Sequence, residues 1–166
     1  PSADGTYDFG ATERVLRHCI DRGLTRFSIL QMRKGPYAPG EAEKAYSFVS
    51  AYAGFLRKKG WLDRALVELW DEPLLHEWPD VKARAERIRA VAPGLKVQLF
   101  ANLSEGPYAF WTEEAHRLGA DRLIDIWAPI PPIEAPELQA RGGEIWTYFC
   151  TLARGTAPNL YIDRPA

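Results

Sequence analysis

The stretch that decides the fold is residues 65–73, which read Ala-Leu-Val-Glu-Leu-Trp-Asp-Glu-Pro. Five mostly apolar residues bounded by a turn signal predict a short buried strand rather than a core helix. The strand ends in two adjacent carboxylates, Asp71 and Glu72, followed by Pro73, which cannot donate a hydrogen bond to a sheet. Because successive strand residues point to opposite faces, the two carboxylates can share one site only if the backbone turns here.

The acidic pair has two interpretations. Carboxylates that precede a helix often serve only as an N-terminal cap with a favourable interaction with the helix dipole. In parallel α/β proteins, however, the carboxyl ends of strands are where ligands bind and chemistry occurs. The organisation of the rest of the chain decides between them.

Strands and helices alternate along the chain. Apolar runs predict five strands, at residues 26–31, 65–70, 96–100, 123–127 and 144–150. Periodic apolar residues and end signals predict helices at residues 8–22, 45–59, 79–91, 112–118 and 137–140. Alternation of this kind predicts βαβ units with a parallel sheet, so residues 1–166 are interpreted as a single α/β domain.

Five parallel strands form either a complete doubly wound sheet or part of a (β/α)8 (TIM) barrel, which typically needs about 250 residues. No glycine-rich phosphate loop follows any strand. Nearly every strand end carries a polar or aromatic residue, and in a barrel these residues would converge on one face. The sequence therefore favours a partial TIM barrel of about five strands. The converging residues are Gln31, Asp71, Glu72, Asn102, Trp127, Trp146 and Tyr148.

Composition narrows the classes of function. The net charge of −1 over 166 residues gives no reason to expect a nucleic-acid partner. No apolar run approaches the roughly 20 residues that a membrane span needs. Six Trp and seven Tyr are a heavy aromatic load, which either fills the core or lines a cleft for a ligand with flat apolar faces, such as a sugar.

The potential metal-ligating residues are scattered. His76 follows Glu72 by four positions, but Pro73 disfavours a helix that would bring them together. We therefore expect neither a metal site nor a cofactor. Cys19 and Cys150 lie inside apolar patterns and are interpreted as buried thiols rather than a disulfide.

Four motifs in order resemble the catalytic barrel of glycoside hydrolase family 123 and the larger uncharacterised family around it. The resemblance covers most of the chain from about Tyr7 to the end. The motifs are Gly-Trp-Leu-Asp-Arg-Ala (60–65) leading to Trp-Asp-Glu-Pro (70–73), Asp-Ile-Trp-Ala-Pro (125–129), Trp-Thr-Tyr-Phe-Cys (146–150) and Pro-Asn-Leu-Tyr-Ile-Asp (158–163).

The resemblance implies a retaining β-N-acetylgalactosaminidase in which the acetamido group of the substrate is the nucleophile. It implies that Glu72 is the general acid/base and that Asp71 orients the acetamido group of an N-acetylhexosaminide glycan. Adjacent carboxylates suit these roles, because each discourages ionisation of its neighbour. The remaining assignments are that Tyr148 bonds the acetamido carbonyl, that Trp127 and Trp146 stack on the sugar, and that Asn102 and Gln31 bind hydroxyls.

Several alternatives stay open at this level. The aromatic residues fit core packing as well as ligand contact, and Asn102 or Gln31 could cap the local backbone. The resemblance implies the third to seventh barrel strands, so a longer parent chain or a homo-oligomer could complete the barrel. A non-catalytic carbohydrate-binding or scaffolding barrel, or another hydrolase of the same barrel class, would fit the same residues.

Overall fold

The computed structural model of the chain describes residues 6–32, 35–102, 111–130, 140 and 143–146, with the backbone alone at residues 102, 111–113, 129 and 130. In this part of the chain, helices and strands alternate. The helices are α1 (Gly10–Ile20), α2 (Glu41–Lys59), α3 (Trp78–Val91) and α4 (Trp111–Leu118). The strands are β1 (Phe27–Gln31), β2 (Ala65–Asp71), β3 (Lys96–Asn102), β4 (Ile126–Ile130) and β5 (Glu144–Ile145).

The five strands form one sheet in the order β1-β2-β3-β4-β5, and every neighbouring pair is parallel. The predicted α/β architecture is confirmed. In a doubly wound sheet the strand order reverses at a switch point, whereas strands in a barrel follow one another in chain order. The sequential order is therefore consistent with part of an α/β barrel.

Two helix ends confirm their local sequence signals. Gly60 follows α2 with φ of 71°, and Gly119 follows α4 with the same value. Glycine has no Cβ to clash in this left-handed conformation, which closes the last turn of a helix. The last turn of α2 also carries Arg57, Lys58 and Lys59, whose charges favour a helix C-terminus.

The fourth strand differs from its prediction. An apolar run predicted it at residues 123–127, but residues 120–123 form a 3-10 turn and β4 begins at Ile126. The cause is Asp125, whose Oδ2 accepts hydrogen bonds from Arg89 Nη2 and from the backbone N–H of Val97, both at 2.7 Å. These bonds hold the entry to β4 against α3 and β3. The Asp125 backbone joins the sheet at this point, since its N–H donates to the carbonyl of Val97 at 2.9 Å and its carbonyl accepts from the N–H of Glu144 at 2.8 Å.

The fifth strand is described only at its start. Beyond Ile145, the backbone N–H of Trp146 donates to the carbonyl of Trp127 at 2.8 Å, which continues the pairing with β4. The rest of the predicted strand, including Tyr148 and Cys150, lies outside the described residues. So does the helix predicted at residues 137–140, apart from Ala140.

One face of the sheet packs against the helices and forms the main core. It contributes buried side chains from three strands, and α2 and α3 supply the opposing layer. The strand residues are Ala65, Val67, Leu69, Trp70, Val97, Leu99, Ala101 and Trp127, and the helix residues include Val49, Ala53, Leu56, Val81, Ala85 and Ile88.

Many of the aromatic side chains pack around α1 and α2, outside the sheet, and not in a cleft. Phe9, just before α1, stacks on Tyr52 and Phe55 of α2 with ring centroids 4.8 and 5.0 Å apart. Phe48 and Trp61 extend the same cluster. Burial of these rings fastens the N-terminal helix to α2.

The sheet is strongly curved. Arg26, just before β1, and Glu144, the first residue of β5, flank opposite edges of the sheet, yet Arg26 Nη2 lies 3.2 Å from Glu144 Oε1. In a flat sheet, four strand spacings would separate these edges by about 19 Å, more than the two side chains together can span. The sheet must therefore curl, and the ion pair bridges its concave side.

The Glu144 carboxylate is the acceptor at the centre of the contacts that join the two edges of the curved sheet. It contacts Lys96 Nζ and accepts a hydrogen bond from Trp146 Nε1 at 3.2 Å. The hydrogen bond from Lys96 is the main reason that the pKa of Glu144 lies below its ordinary value of 4.5, with Trp146 and Arg26 adding to the effect and burial opposing it.

We expect this cluster to stabilise the fold above pH 4.5 and to lose its contribution as the pH falls through the lowered pKa of Glu144. Glu144→Gln should cost about 1 kcal/mol of unfolding free energy at neutral pH, since the pair is one-third exposed. Urea unfolding between pH 7 and pH 3 measures the difference between wild type and variant. The difference should shrink in acid and should be small at every pH in a Lys96→Met background; a constant difference would contradict the assignment.

Candidate functional site

A β-bulge in β2 turns Asp71 onto the concave face. Glu68 pairs with Gln98 of β3, and the next pair is Trp70 with Leu99, so Leu69 is an extra residue. Strict alternation from Glu68 would put Trp70 on the concave face and Asp71 on the helix side. With the bulge, Trp70 joins the core beneath the helices and Asp71 pairs with Phe100 on the face of Glu68.

β1 also contains a β-bulge. Ser28 pairs with Leu66, and the next pair is Leu30 with Val67, so Ile29 is the extra residue. Gln31, the last residue of β1, consequently pairs with Glu68 and shares its face. Two neighbouring bulges thus bring a terminal amide and a terminal carboxylate to the concave side of the sheet.

The backbone turns sharply at Glu72. Its φ of 49° lies in the left-handed region, and no other described residue except glycines has a positive φ. For an L residue this conformation costs about 1–2 kcal/mol, and such strain is concentrated at functional sites. The backbone N–H of Glu72 still donates to the carbonyl of Phe100 at 3.1 Å. The backbone therefore turns immediately after Asp71. Such a turn is required if two adjacent carboxylates are to share one site.

The two carboxylates differ in surroundings. The side chain of Asp71 is exposed, Glu72 is half-buried, and Pro73 directly after them is buried. A difference in environment is what allows two neighbouring carboxyl groups to take separate roles in acid–base chemistry.

A groove of about 340 Å³ lies along the concave face. This volume is at the lower end of the range for small-molecule sites, which is about 300–1,000 Å³. Apolar residues and one indole ring share the lining with four polar side chains. The lining residues are Arg26, Phe27, Ser28, Leu66, Glu68, Gln98, Phe100, Ala128 and Trp146.

Sequence reasoning missed Glu68 and Gln98 as site residues. Each interrupts an otherwise apolar strand, and Gln98 is 5% exposed. The signal was therefore present, since polar residues at the centre of buried strands require an explanation. What was hidden is that the two residues pair across β2 and β3 on the face that carries Asp71.

A buried arginine supports the strand end from the helix side. Arg84 of α3 stacks its guanidinium over the rings of Trp70 and Tyr37, 4.3 and 4.9 Å from their centroids. Its Nη2 donates to the carbonyl of Gly35 at 2.9 Å. Arg84 therefore fastens the loop after β1 to the residue that immediately precedes Asp71.

The structure brings some of the predicted site residues together and separates others. Asp71 and Glu72 are adjacent at the end of β2, Gln31 lies on the same face one layer below at the end of β1, and Trp146 lines the groove. Trp127 is 3% exposed and packs on the helix side against Trp78, with ring centroids 6.1 Å apart. Core packing, the alternative left open for Trp127, describes this position. The side chain of Asn102, at the end of β3, and all of Tyr148 lie outside the described part.

The part of the chain that the structure describes contains no group of three or more His, Cys, Asp or Glu side chains arranged to hold a metal ion. His76 is exposed, and Cys19 is a free thiol that is half-buried rather than fully buried. None of the helices described is both long enough and apolar enough to cross a membrane.

No model of a known protein family matches the chain, and no curated protein matches it. An α/β barrel fold supports many unrelated chemistries, so it does not specify one. Any function assigned to this chain therefore depends on the chemistry of its own residues.

Proposed function

We propose that the chain is a retaining glycoside hydrolase of the β-N-acetylgalactosaminidase type, which cleaves N-acetylhexosaminide glycans by substrate assistance. One observation carries the proposal: a bulge puts Asp71 on the concave face at the end of a strand, and a left-handed turn follows at once at Glu72. Enzymes that cleave glycosidic bonds usually use two carboxyl groups, and barrel enzymes carry their catalytic residues at the carboxyl ends of strands.

Each carboxyl group has its own role in this reaction. Glu72 gives its proton to the glycosidic oxygen while the acetamido oxygen of the substrate attacks the anomeric carbon and the leaving group departs. Asp71 stays ionised, accepts a hydrogen bond from the acetamido N–H and stabilises the positive charge that develops on the acetamido group. Water then attacks the anomeric carbon, and Glu72 takes up the proton that this water releases.

The surroundings of the two carboxylates support these roles. Glu72 is half-buried and Asp71 is exposed, so the two carboxyl groups meet a substrate in different surroundings. Trp146, on the wall of the adjacent groove, offers an apolar ring face on which a sugar can stack. Gln31 supplies an amide for hydroxyl groups at the same edge.

The choice of an acetamido sugar comes from the resemblance to glycoside hydrolase family 123. Under this proposal the sequential strands β1 to β5 are the third to seventh strands of that barrel.

A non-catalytic carbohydrate-binding barrel is the second candidate. The observation that favours it is the groove itself, whose polar residues and indole ring could hold a sugar without any bond cleavage. In this alternative, Asp71 and Glu72 take no part in bond cleavage. The capping role considered for them does not describe their position, because α3 begins at Trp78 with Glu77 at its N-cap.

Hydrolysis of two matched substrates tests the proposal. Aryl β-galactosides that carry either a 2-acetamido or a 2-hydroxyl group are incubated with the full chain, and release of the phenol is measured. We expect cleavage of the acetamido sugar alone, because only this group can act as the nucleophile. Equal cleavage of both sugars would contradict substrate assistance, and sugar binding without turnover would favour the second candidate.

A further inference from the structure

The concave face carries a carboxylate that the proposed reaction does not use. Glu68 lies one layer below Asp71, between Gln31 of β1 and Gln98 of β3 in the register of the sheet. Both Glu68 and Gln98 line the groove. Among the hydrogen bonds and ion pairs of the described residues, none engages the side chain of either residue.

The polar atoms of Glu68 and Gln98 are accessible from the groove. Gln98 as a whole is 5% exposed, and Glu68 is half-buried. In the described part of the chain, no side-chain N or O atom of either residue is among the buried polar atoms that lack a hydrogen-bond partner, so these atoms remain open to a ligand. Glu68 and Gln98 therefore offer hydrogen-bonding groups to a ligand in the groove, and Gln31 continues the same row on β1.

The charges around the groove select the class of ligand. Arg26 lines the groove, and Glu144 pairs with both Arg26 and Lys96, so this cluster carries one formal positive charge that offsets the carboxylate of Glu68. Amides both donate and accept hydrogen bonds, as hydroxyl groups do, and the ring of Trp146 completes the wall. A neutral polyhydroxylated ring satisfies these groups best.

We propose that Glu68 is a ligand-binding carboxylate of this site, which accepts hydrogen bonds from the hydroxyl groups of a sugar ring held between Gln98 and Trp146. This inference rests on the proposed function in its choice of a sugar. It extends that function by adding a binding layer below the two reacting carboxylates. Glu68 fixes the depth at which the sugar ring binds in the groove. The depth of the ring in turn sets its distance from Asp71 and Glu72.

Calorimetric titration of the full chain with N-acetylgalactosamine tests this role. Glu68→Gln keeps the volume of the side chain but removes its charge and one acceptor, so we expect the affinity to fall about tenfold or more. Glu86→Gln, the same change on the exposed face of α3, should leave the affinity unchanged. Gln98→Leu provides a second variant in case Glu68→Gln unfolds, and circular dichroism checks the fold of both.

The outcomes separate this inference from the proposed function. Unchanged affinity in the folded Glu68→Gln and Gln98→Leu variants, or no binding of N-acetylgalactosamine to the wild-type chain, would overturn the role of Glu68. Tighter binding of galactosamine, whose ammonium is cationic, that depends on Glu68 would overturn the neutral ligand class. If Glu68→Gln weakens binding but Glu72→Gln leaves hydrolysis intact, the role of Glu68 stands and the assignment of Glu72 fails.

Discussion

Glu72→Gln should lower the rate of hydrolysis of alkyl β-N-acetylgalactosaminides by about 10²–10⁴-fold, the usual contribution of a general acid. Glutamine keeps the shape of the side chain but cannot give a proton to the glycosidic oxygen. An alkoxide is a poor leaving group and depends on this proton, whereas a nitrophenolate leaves without it. The loss should therefore be much smaller for a dinitrophenyl glycoside of the same sugar.

The control for this prediction is again Glu86→Gln, because Glu86 is exposed and pairs only with Lys82 on its own helix among its described contacts. This variant should match the wild type on both substrates. Measurement of kcat/KM, which reports departure of the leaving group and not the later attack of water, distinguishes an acid from a structural residue, since a structural defect would slow both substrates alike. Equal losses on alkyl and dinitrophenyl glycosides would count against Glu72 as the acid.

Arg84→Ala should lower the free energy of unfolding by about 2–4 kcal/mol, the largest effect on stability that we predict. The change removes two cation–π contacts, each worth up to about 2 kcal/mol when desolvated, and a charged hydrogen bond worth about 1.5–3 kcal/mol. These terms overlap, because all three act through one guanidinium. Its rings, Trp70 and Tyr37, and its acceptor at Gly35 would lose their common partner.

Arg87→Ala is a matched control one turn along α3. Arg87 is half-exposed, pairs with Glu43 at 3.3 Å and lies 5.7 Å from the centroid of the Tyr46 ring, so its loss should cost only about 1 kcal/mol. Arg84→Lys keeps the charge without the planar stacking group and should fall between the two alanine variants. Urea midpoints measure all three, and similar values for Arg84→Ala and Arg87→Ala would refute the role given to Arg84.

Most of the fold could be predicted because its signals are local. Gly60 and Gly119 end helices at the positions expected, and the alternation of strands and helices follows from apolar periodicity alone. The start of β4 could not be predicted, because the bonds from Asp125 to Arg89 and Val97 join residues that are 28 or more positions apart. An apolar run does not reveal such a constraint.

The site was harder to predict than the fold. The position of Asp71 and Glu72 at a strand end was evident, but the face on which Asp71 lies depends on one extra residue, Leu69. A bulge leaves no periodic trace in a strand that is buried on both faces. Burial of both faces also removes the alternation of polar and apolar residues that would show which way a side chain points. The sequence therefore could not tell that Trp146 lines the groove while Trp127 packs against the helices.

The central claim is that the acetamido oxygen of the substrate is the nucleophile at the site formed by Asp71 and Glu72. The most direct test is the rate of hydrolysis of one aryl galactosaminide whose N-acetyl group carries zero, one, two or three fluorine atoms. Fluorine withdraws electrons from the acetamido oxygen and makes it a poorer nucleophile. We predict that kcat/KM falls severalfold with each added fluorine; a rate that stays constant along the series would contradict the account.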